Sequence, residues 1–459
     1  MRIFYTFAVA LLTILTCTAQ DKAARLDSLM TALHGEGKFN GNILVAENGK
    51  IIYEKSFGFA NEETKQHLNT ETIFELASVS KQFTAMGIVL LQKQGKLKYD
   101  DKMSQYIPEL GFYGTITIRH LLHHTSGLPD YMNLFEKSWD KSKFAVNQDI
   151  VNLFAEKKPA ALFAPNEKFE YSNTGYALLA LIIERVSGKS FGEFLQQSIF
   201  KPLEMNNTFV YRSRYAPQKV SNYALGYISD EWGRKILPDS YGKQFYSYYL
   251  DGIVGDGTVN STLHDLLKWD RALYTDKLVN KADKDLIFGD LLTSAGTPTN
   301  YGFGWIISSD KKYGKRASHS GGWAGYVSYI DRHLDNDKTV ILLQNNMTSK
   351  TVNPTAEIRK ILYNEGLAVP KLVKITPSTE DLQRYAGVYS NPNFPLKITI
   401  SNSAGTLTAQ ATGQSAFPMD AFADHTFTFD PANIKMIFNP DQNTMLFSQG
   451  SNVLTFTKE

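Results

Sequence analysis

Ser78-Val79-Ser80-Lys81 places a hydroxyl and an amine three residues apart at the start of an apolar helical stretch. Phe83, Met86, Val89 and Leu90 share one face of that stretch, and Gly95 supplies a stop. Residues i and i+3 lie on one side of a helix, so the Lys81 side chain can reach the Ser78 hydroxyl. A helix N-terminus carries partial positive charge, and burial penalises an ion. Both disfavour a cation at Lys81 and favour an amine able to accept the serine proton. A serine opening a helix also serves as an N-cap, so the motif alone does not separate chemistry from capping. Two later stretches do.

Tyr171-Ser172-Asn173 precedes an apolar helical run that begins near Thr174. Tyr171 is placed to take the Ser78 proton and pass it to a leaving group, helped by Lys81. Asn173 is placed to orient Lys81 and the substrate carbonyl. His319-Ser320-Gly321-Gly322-Trp323 is a strand running into glycines, and glycines let a backbone approach a substrate closely. Two N–H groups aimed at one point make an oxyanion hole. The Ser78 and Gly322 amides are the expected pair, with His319, Ser320 and Gly321 lining the substrate. Together the three stretches read as the machinery of a serine hydrolase working through an acyl-enzyme.

In this order the motifs resemble the serine β-lactamase and penicillin-recognising superfamily. The similarity is to its class C-like branch, with D-alanyl-D-alanine carboxypeptidases, D-aminopeptidases and esterases. The flanks resemble it too: Ile116-Thr117-Ile118-Arg119-His120-Leu121-Leu122, His124-Thr125-Ser126-Gly127-Leu128 and Tyr301-Gly302-Phe303-Gly304-Trp305. The similarity covers roughly 37–346. It implies an α/β (α+β) fold: a central antiparallel sheet flanked by helices, plus a helical subdomain, with the site between them. In β-lactamases of this branch Lys-Thr-Gly stands where this chain has His319-Ser320-Gly321. That lysine binds the β-lactam carboxylate. A histidine is largely neutral at pH 7, so esters, amides or cell-wall peptides become the expected substrates, ahead of β-lactams. Lowering the pH toward 6 is expected to charge the imidazole and favour an anionic substrate. A penicillin-sensing module that acylates without turnover is the competing reading from outside enzymology.

Away from the motifs, 21–33 has helical spacing, with Leu26, Met30 and Leu33 on one face. The stretches 42–46 and 50–57 read as strands joined at Asn48-Gly49, a tight-hairpin signal. Helical patterns recur at 118–124, 174–186, 191–200 and 262–273, and strands at 302–308, 317–320, 326–331 and 339–345. Strands at both ends with helices between imply one sheet closed by the two ends. Residues 367–377, bracketed by Val369-Pro370 and Thr376-Pro377, read as a linker. Residues 378–459 read as a small all-β, barrel-like domain, with alternation such as Leu396, Ile398 and Ile400. The hydrolase domain is then 20–366.

Residues 1–19 read as a signal peptide: Arg2, an apolar run from Ile3 to Leu15, and small residues near Ala19-Gln20. The mature protein is expected to be exported, periplasmic or extracellular, with no transmembrane span. Cys17, the only cysteine, falls in the leader, where lipid attachment is the alternative to plain cleavage. Lys plus Arg is 48 against 46 for Asp plus Glu, a net +2 that gives no case for a nucleic-acid partner. The expected partner is a small ester, amide or peptide. No cofactor and no metal is called for. His120, His123 and His124 lack a carboxylate or cysteine cluster and read as core or capping residues. Gly188-Lys189-Ser190-Phe191-Gly192 fits a nucleophile elbow by pattern, but lies between two helical stretches rather than between a strand and a helix.

Overall fold

A computed structural model describes residues 21–365 and 374–459, apart from 393, 404, 424, 433, 450 and 451. The leader with Cys17, and 367–373 of the linker, lie outside the described residues. The chain forms two compact units, Met1–Glu365 and Gly366–Glu459.

In the first unit, helix α1 (21–35) turns Leu26 and Met30 wholly inward. Strands β1 (Gly41–Glu47) and β2 (Lys50–Phe57) follow. Asn48 and Gly49 join them with φ of 51° and 72°, the left-handed pair a two-residue hairpin needs. Four late strands complete the sheet: β3 (Ile306–Asp310), β4 (Gly314–Trp323), β5 (Tyr326–His333) and β6 (Lys338–Gln344). The order is β3-β4-β5-β6-β1-β2, antiparallel throughout. β1 pairs with β6 from Gly41↔Gln344 to Glu47↔Lys338. The two ends of the unit therefore close one sheet, as the strand distribution implies. β1 is buried from Gly41 to Ala46, on both faces, which suits an inner strand covered on both sides.

Helix α2 (Lys81–Lys93) is buried all round from Lys81 to Val89, as a helix in the middle of a core must be. It crosses helix α3 (Asn173–Ser187) closely at Gly87, where a Cβ would stand 2.7 Å from Ile183 Cδ1. Helix α4 (Leu263–Ala272) presents its amphipathic face to the same core, and helix α5 (Thr355–Leu362) buries Ile358, Ile361 and Leu362. The helical region contains α3 and the helices Tyr131–Ser138, Asn147–Lys157 and Phe191–Leu195.

Two local expectations are corrected. Ser78 does not open the α-helix. It sits in a 3-10 turn, Ala77–Ser80, and the α-helix starts at Lys81. Ala77 has φ 46°, a left-handed conformation that interrupts any regular helix there. The strand expected at 302–308 begins only at Ile306. Gly304 has φ 78°, and a Cβ there would lie 2.8 Å from Lys81 O, so this segment is a tight loop packed on the start of α2.

The second unit is a nine-stranded antiparallel sheet in a nearly closed, barrel-like form. Its edge strands, Phe417–Pro418 and Asp420–Phe422, are separated only by Met419. The chain itself thus draws the two edges together. Tyr385, Tyr389, Phe427, Phe438 and Phe456 fill its core.

Candidate active site

The Ala77–Ser80 turn is clamped from several sides. Leu76 N–H donates to Val259 O at 2.9 Å, and Ser80 Oγ accepts from Val259 N–H at 3.0 Å. Ser328 Oγ, on β5, donates to Leu76 O at 2.5 Å. Ala77, 3% exposed, is held at its strained φ by these contacts. Ser80 spends its hydroxyl on structure. Ser78 is half-buried, caps no helix and presents its hydroxyl to a neighbour.

That neighbour is Lys81. Its side chain is fully buried, and its Nζ donates at 3.0 Å to Asn173 Oδ1 and 2.8 Å to the Asp256 carbonyl, and lies at hydrogen-bond distance, 3.0 Å, from Ser78 Oγ. The amine is therefore fixed by two acceptors with the third contact aimed at the hydroxyl. Ser172, rather than Asn173, caps α3, its Oγ accepting from Gly175 N–H. That leaves the Asn173 amide free to bridge Lys81 and Asp130 Oδ2, 3.3 Å away.

Tyr171 is 39% exposed, with its ring centroid 4.9 Å from Lys81 Nζ. Among the described residues its hydroxyl makes no hydrogen bond to Ser78 or Lys81, so what is present is the proximity of ring and amine. A wall of rings holds it: His124 at 4.3 Å, His319 at 6.1 Å and Tyr301 at 6.2 Å between centroids.

His319 is 2% exposed. Its Nδ1 lies 2.7 Å from Ser320 O, which only accepts, so Nδ1 carries the proton. Nε2 then accepts from Tyr301 O–H at 2.8 Å. Burial, with Lys81 nearby, drives the imidazole down to about 3, so it is neutral. The expectation that mild acid would charge His319 is corrected by this environment. His124 is likewise held far below its ordinary value by burial. Its Nδ1 accepts from Ser172 N–H at 3.0 Å. His123 Nδ1 bonds Tyr301 O, and His120 Nδ1 accepts from Thr117 N–H in a capping box. Each of the three histidines thus serves a different backbone group. Gly188 ends α3 with φ 70° and Ser190 caps the next helix, so the apparent nucleophile elbow is a helix–helix turn.

Strand β4 lies against the Ser78 turn. A Cβ on Gly321 would fall 2.2 Å from Leu76 O and 3.0 Å from Ser78 N. Only glycine permits that approach. Gly321→Ala should force strand and turn apart, costing roughly 1–3 kcal/mol of stability and on the order of tenfold or more in kcat. Thermal melts and ester turnover on the purified variant check this; wild-type values in both would show that the approach is not needed. A Cβ on Gly322, by contrast, would meet only Met347 Cε, at 3.8 Å. Ser78, Asn173, Gly322 and Trp323 line one cavity of about 200 Å³. Ser320 lies on the same strand, with its side chain exposed.

Sequence reasoning missed four contributors: Asp256, whose carbonyl holds Lys81; Tyr131, whose hydroxyl donates to Asp256 Oδ2 at 2.9 Å; Glu75; and Tyr301, seen only as part of a flanking stretch. Only Glu75 carried a local signal, three residues before Ser78.

A buried lysine bonded to a serine hydroxyl, with tyrosine and a glycine strand beside it on this sheet, defines a serine hydrolase of the β-lactamase type. The family model described as Beta-lactamase matches residues 26–364, and the chain belongs to that family. It is 47% identical over 379 residues to penicillin-binding protein 4* of Bacillus subtilis, covering 81% of this chain and 83% of that protein. Two solved structures share the fold. The octameric penicillin-binding protein homologue from Pyrococcus abyssi has a TM-score of 0.66 at 24% identity, covering 95% of this chain and 99% of that one. The D-amino acid amidase from Ochrobactrum anthropi SV3 has 0.61 at 23%, covering 76% and 99%.

Proposed function

We propose that this chain is an exported hydrolase that transfers acyl groups through Ser78, acting on small esters, amides or short peptides. The observation that carries the reading is the fully buried Lys81, its Nζ 3.0 Å from Ser78 Oγ and braced by Asn173 and Asp256. Ser78 Oγ attacks the carbonyl carbon while its proton passes to Lys81 Nζ. The oxyanion is held by the Ser78 and Gly322 amides. Tyr171 relays that proton from Lys81 to the leaving group; water then attacks the ester of Ser78, and its proton returns by the same groups to Ser78 Oγ as the acid is released. The apolar leader and the penicillin-binding relative support export. Labelling of Ser78 by a fluorophosphonate, followed by mass spectrometry, tests the nucleophile. Retention of a penicillin adduct without release would favour the sensing module instead.

The neutral His319 ranks the substrates. A fixed lysine beside the nucleophile would attract a β-lactam carboxylate by up to about 4 kcal/mol before desolvation, and His319 supplies no such charge. Short aryl esters should turn over with kcat/KM at least about tenfold above a chromogenic cephalosporin. Lowering the pH from 8 to 6 should not narrow that gap through His319, which charges only near pH 3. The sign for stability is opposite in sense. Below its ordinary 6.5 the unfolded chain protonates this imidazole while the native state does not, so its contribution falls as pH drops toward 3. A wild type preferring the cephalosporin would make β-lactam hydrolysis the better reading.

A further inference from the structure

Glu75 ends the short strand Phe74–Glu75, three residues before Ser78, and lines the same cavity as Ser78. The residue is 8% exposed. Among the described residues its carboxyl has no hydrogen bond and no ion pair. Two further carboxyl-bearing residues line this space, and both are already engaged. Asp251 accepts from the Arg214 and Tyr215 amides at 2.7 and 2.8 Å, and Asp256 from Tyr131 O–H at 2.9 Å. None of the described lining residues is lysine, arginine or histidine. Arg214, the cation nearest in effect, is bonded to Asp239 at 2.5 Å and lies 3.5 Å from Asp251. The remaining wall includes the rings of Tyr131, Tyr246 and Trp323, whose faces attract cations.

A buried carboxyl without a partner is costly unless something supplies the opposite charge. Here the cavity has an acidic side and aromatic walls, the one amine beside it, Lys81 Nζ, is tied to Ser78 Oγ, Asn173 Oδ1 and Asp256 O rather than to Glu75, and the nearby imidazole of His319 is neutral. We propose that Glu75 is the specificity residue of this cavity and receives the protonated amine of the substrate, so that acyl donors carrying a free amine beside the scissile carbonyl are preferred. This rests on the acyl-enzyme reading above.

Burial, then Asp251 and Asp256, push the empty Glu75 carboxyl up to about 8, against the opposing Arg214. The other titratable groups facing it are Tyr223, Tyr246 and Tyr326, all shifted upward and neutral. An arriving ammonium supplies the missing charge and draws the proton off Glu75. Preference for a free amine should therefore rise from pH 6 toward 8. Above that it should fall as the α-amino group itself, at about 8, loses its proton.

The test compares alanine p-nitroanilide, in both enantiomers, with its N-acetyl counterpart. The readout is the ratio of kcat/KM values within each enzyme form. In wild type one enantiomer should exceed its acetylated form by at least about tenfold, and Glu75→Gln should lose most of that ratio. Benzylamine should inhibit wild-type hydrolysis of p-nitrophenyl acetate competitively, while benzyl alcohol should be at least about tenfold weaker. This arm needs no variant to fold. Equal ratios in wild type, an unchanged ratio in Glu75→Gln, or equal inhibition by amine and alcohol would overturn the assignment of Glu75 and leave Ser78 untouched. A wild type that neither hydrolyses p-nitrophenyl acetate nor labels at Ser78 would overturn the acyl-enzyme reading, and this proposal with it.

Discussion

Ser78→Ala should abolish turnover, with kcat falling by at least about 10⁴-fold, as expected when the nucleophile of a covalent mechanism is removed. The fold should barely notice. Ser78 caps neither the 3-10 turn nor α2, and among the described residues its half-buried hydroxyl is bonded only to Lys81. The expected stability loss is under about 1 kcal/mol, less than an N-cap deletion would give. Activity on an aryl ester, a melting curve and fluorophosphonate labelling of both proteins make the measurement. If the purified variant kept a hundredth of wild-type kcat, another group would be the nucleophile.

Lys81→Met should cost nearly as much activity and considerably more stability. Methionine fills a similar volume, so packing around α2 is largely kept. What disappears is the amine, with its three bonds to Ser78 Oγ, Asn173 Oδ1 and Asp256 O. An acceptor left buried without a donor costs about 1–3 kcal/mol, and both braces are exposed to that penalty. If Lys81 takes the Ser78 proton as proposed, its removal should lower kcat by roughly 10²–10⁴. Fluorophosphonate labelling of Ser78 should slow as well, because the same proton must leave for that reaction. A variant that labels at the wild-type rate would move the proton acceptor away from Lys81, with Tyr171 the next candidate.

The legible parts of this protein are those that depend on local chemistry. Spacing puts Lys81 on the side of Ser78, though through a 3-10 turn rather than an α-helix, since i and i+3 eclipse there. Asn48-Gly49 announces its hairpin because few residues tolerate positive φ twice in succession. Alternating apolar residues announce the all-β second unit, because a strand turns every other side chain to the core. The position of Ser78 itself was misread by one turn. The strain at Ala77 and the clamp from Val259 and Ser328 come from strands far along the chain.

By itself, then, the sequence determined the family, the order of its motifs, and the serine–lysine pair at its centre. Those are properties of neighbouring residues and of short-range geometry. Only the tertiary structure decided the electrostatics of the site. His319 is neutral because the fold encloses it and ties both ring nitrogens, at Ser320 O and Tyr301 O–H. Lys81 is aimed because Asp256, 175 positions away, presents a carbonyl to it. Glu75 stands unpartnered among the described residues because Asp251 and Asp256 converge on its cavity while Arg214 is turned toward Asp239 and Asp251. Charge and burial at a point depend on everything the chain brings there. That sum exists only once the strands from both ends and the helices between them have closed around it.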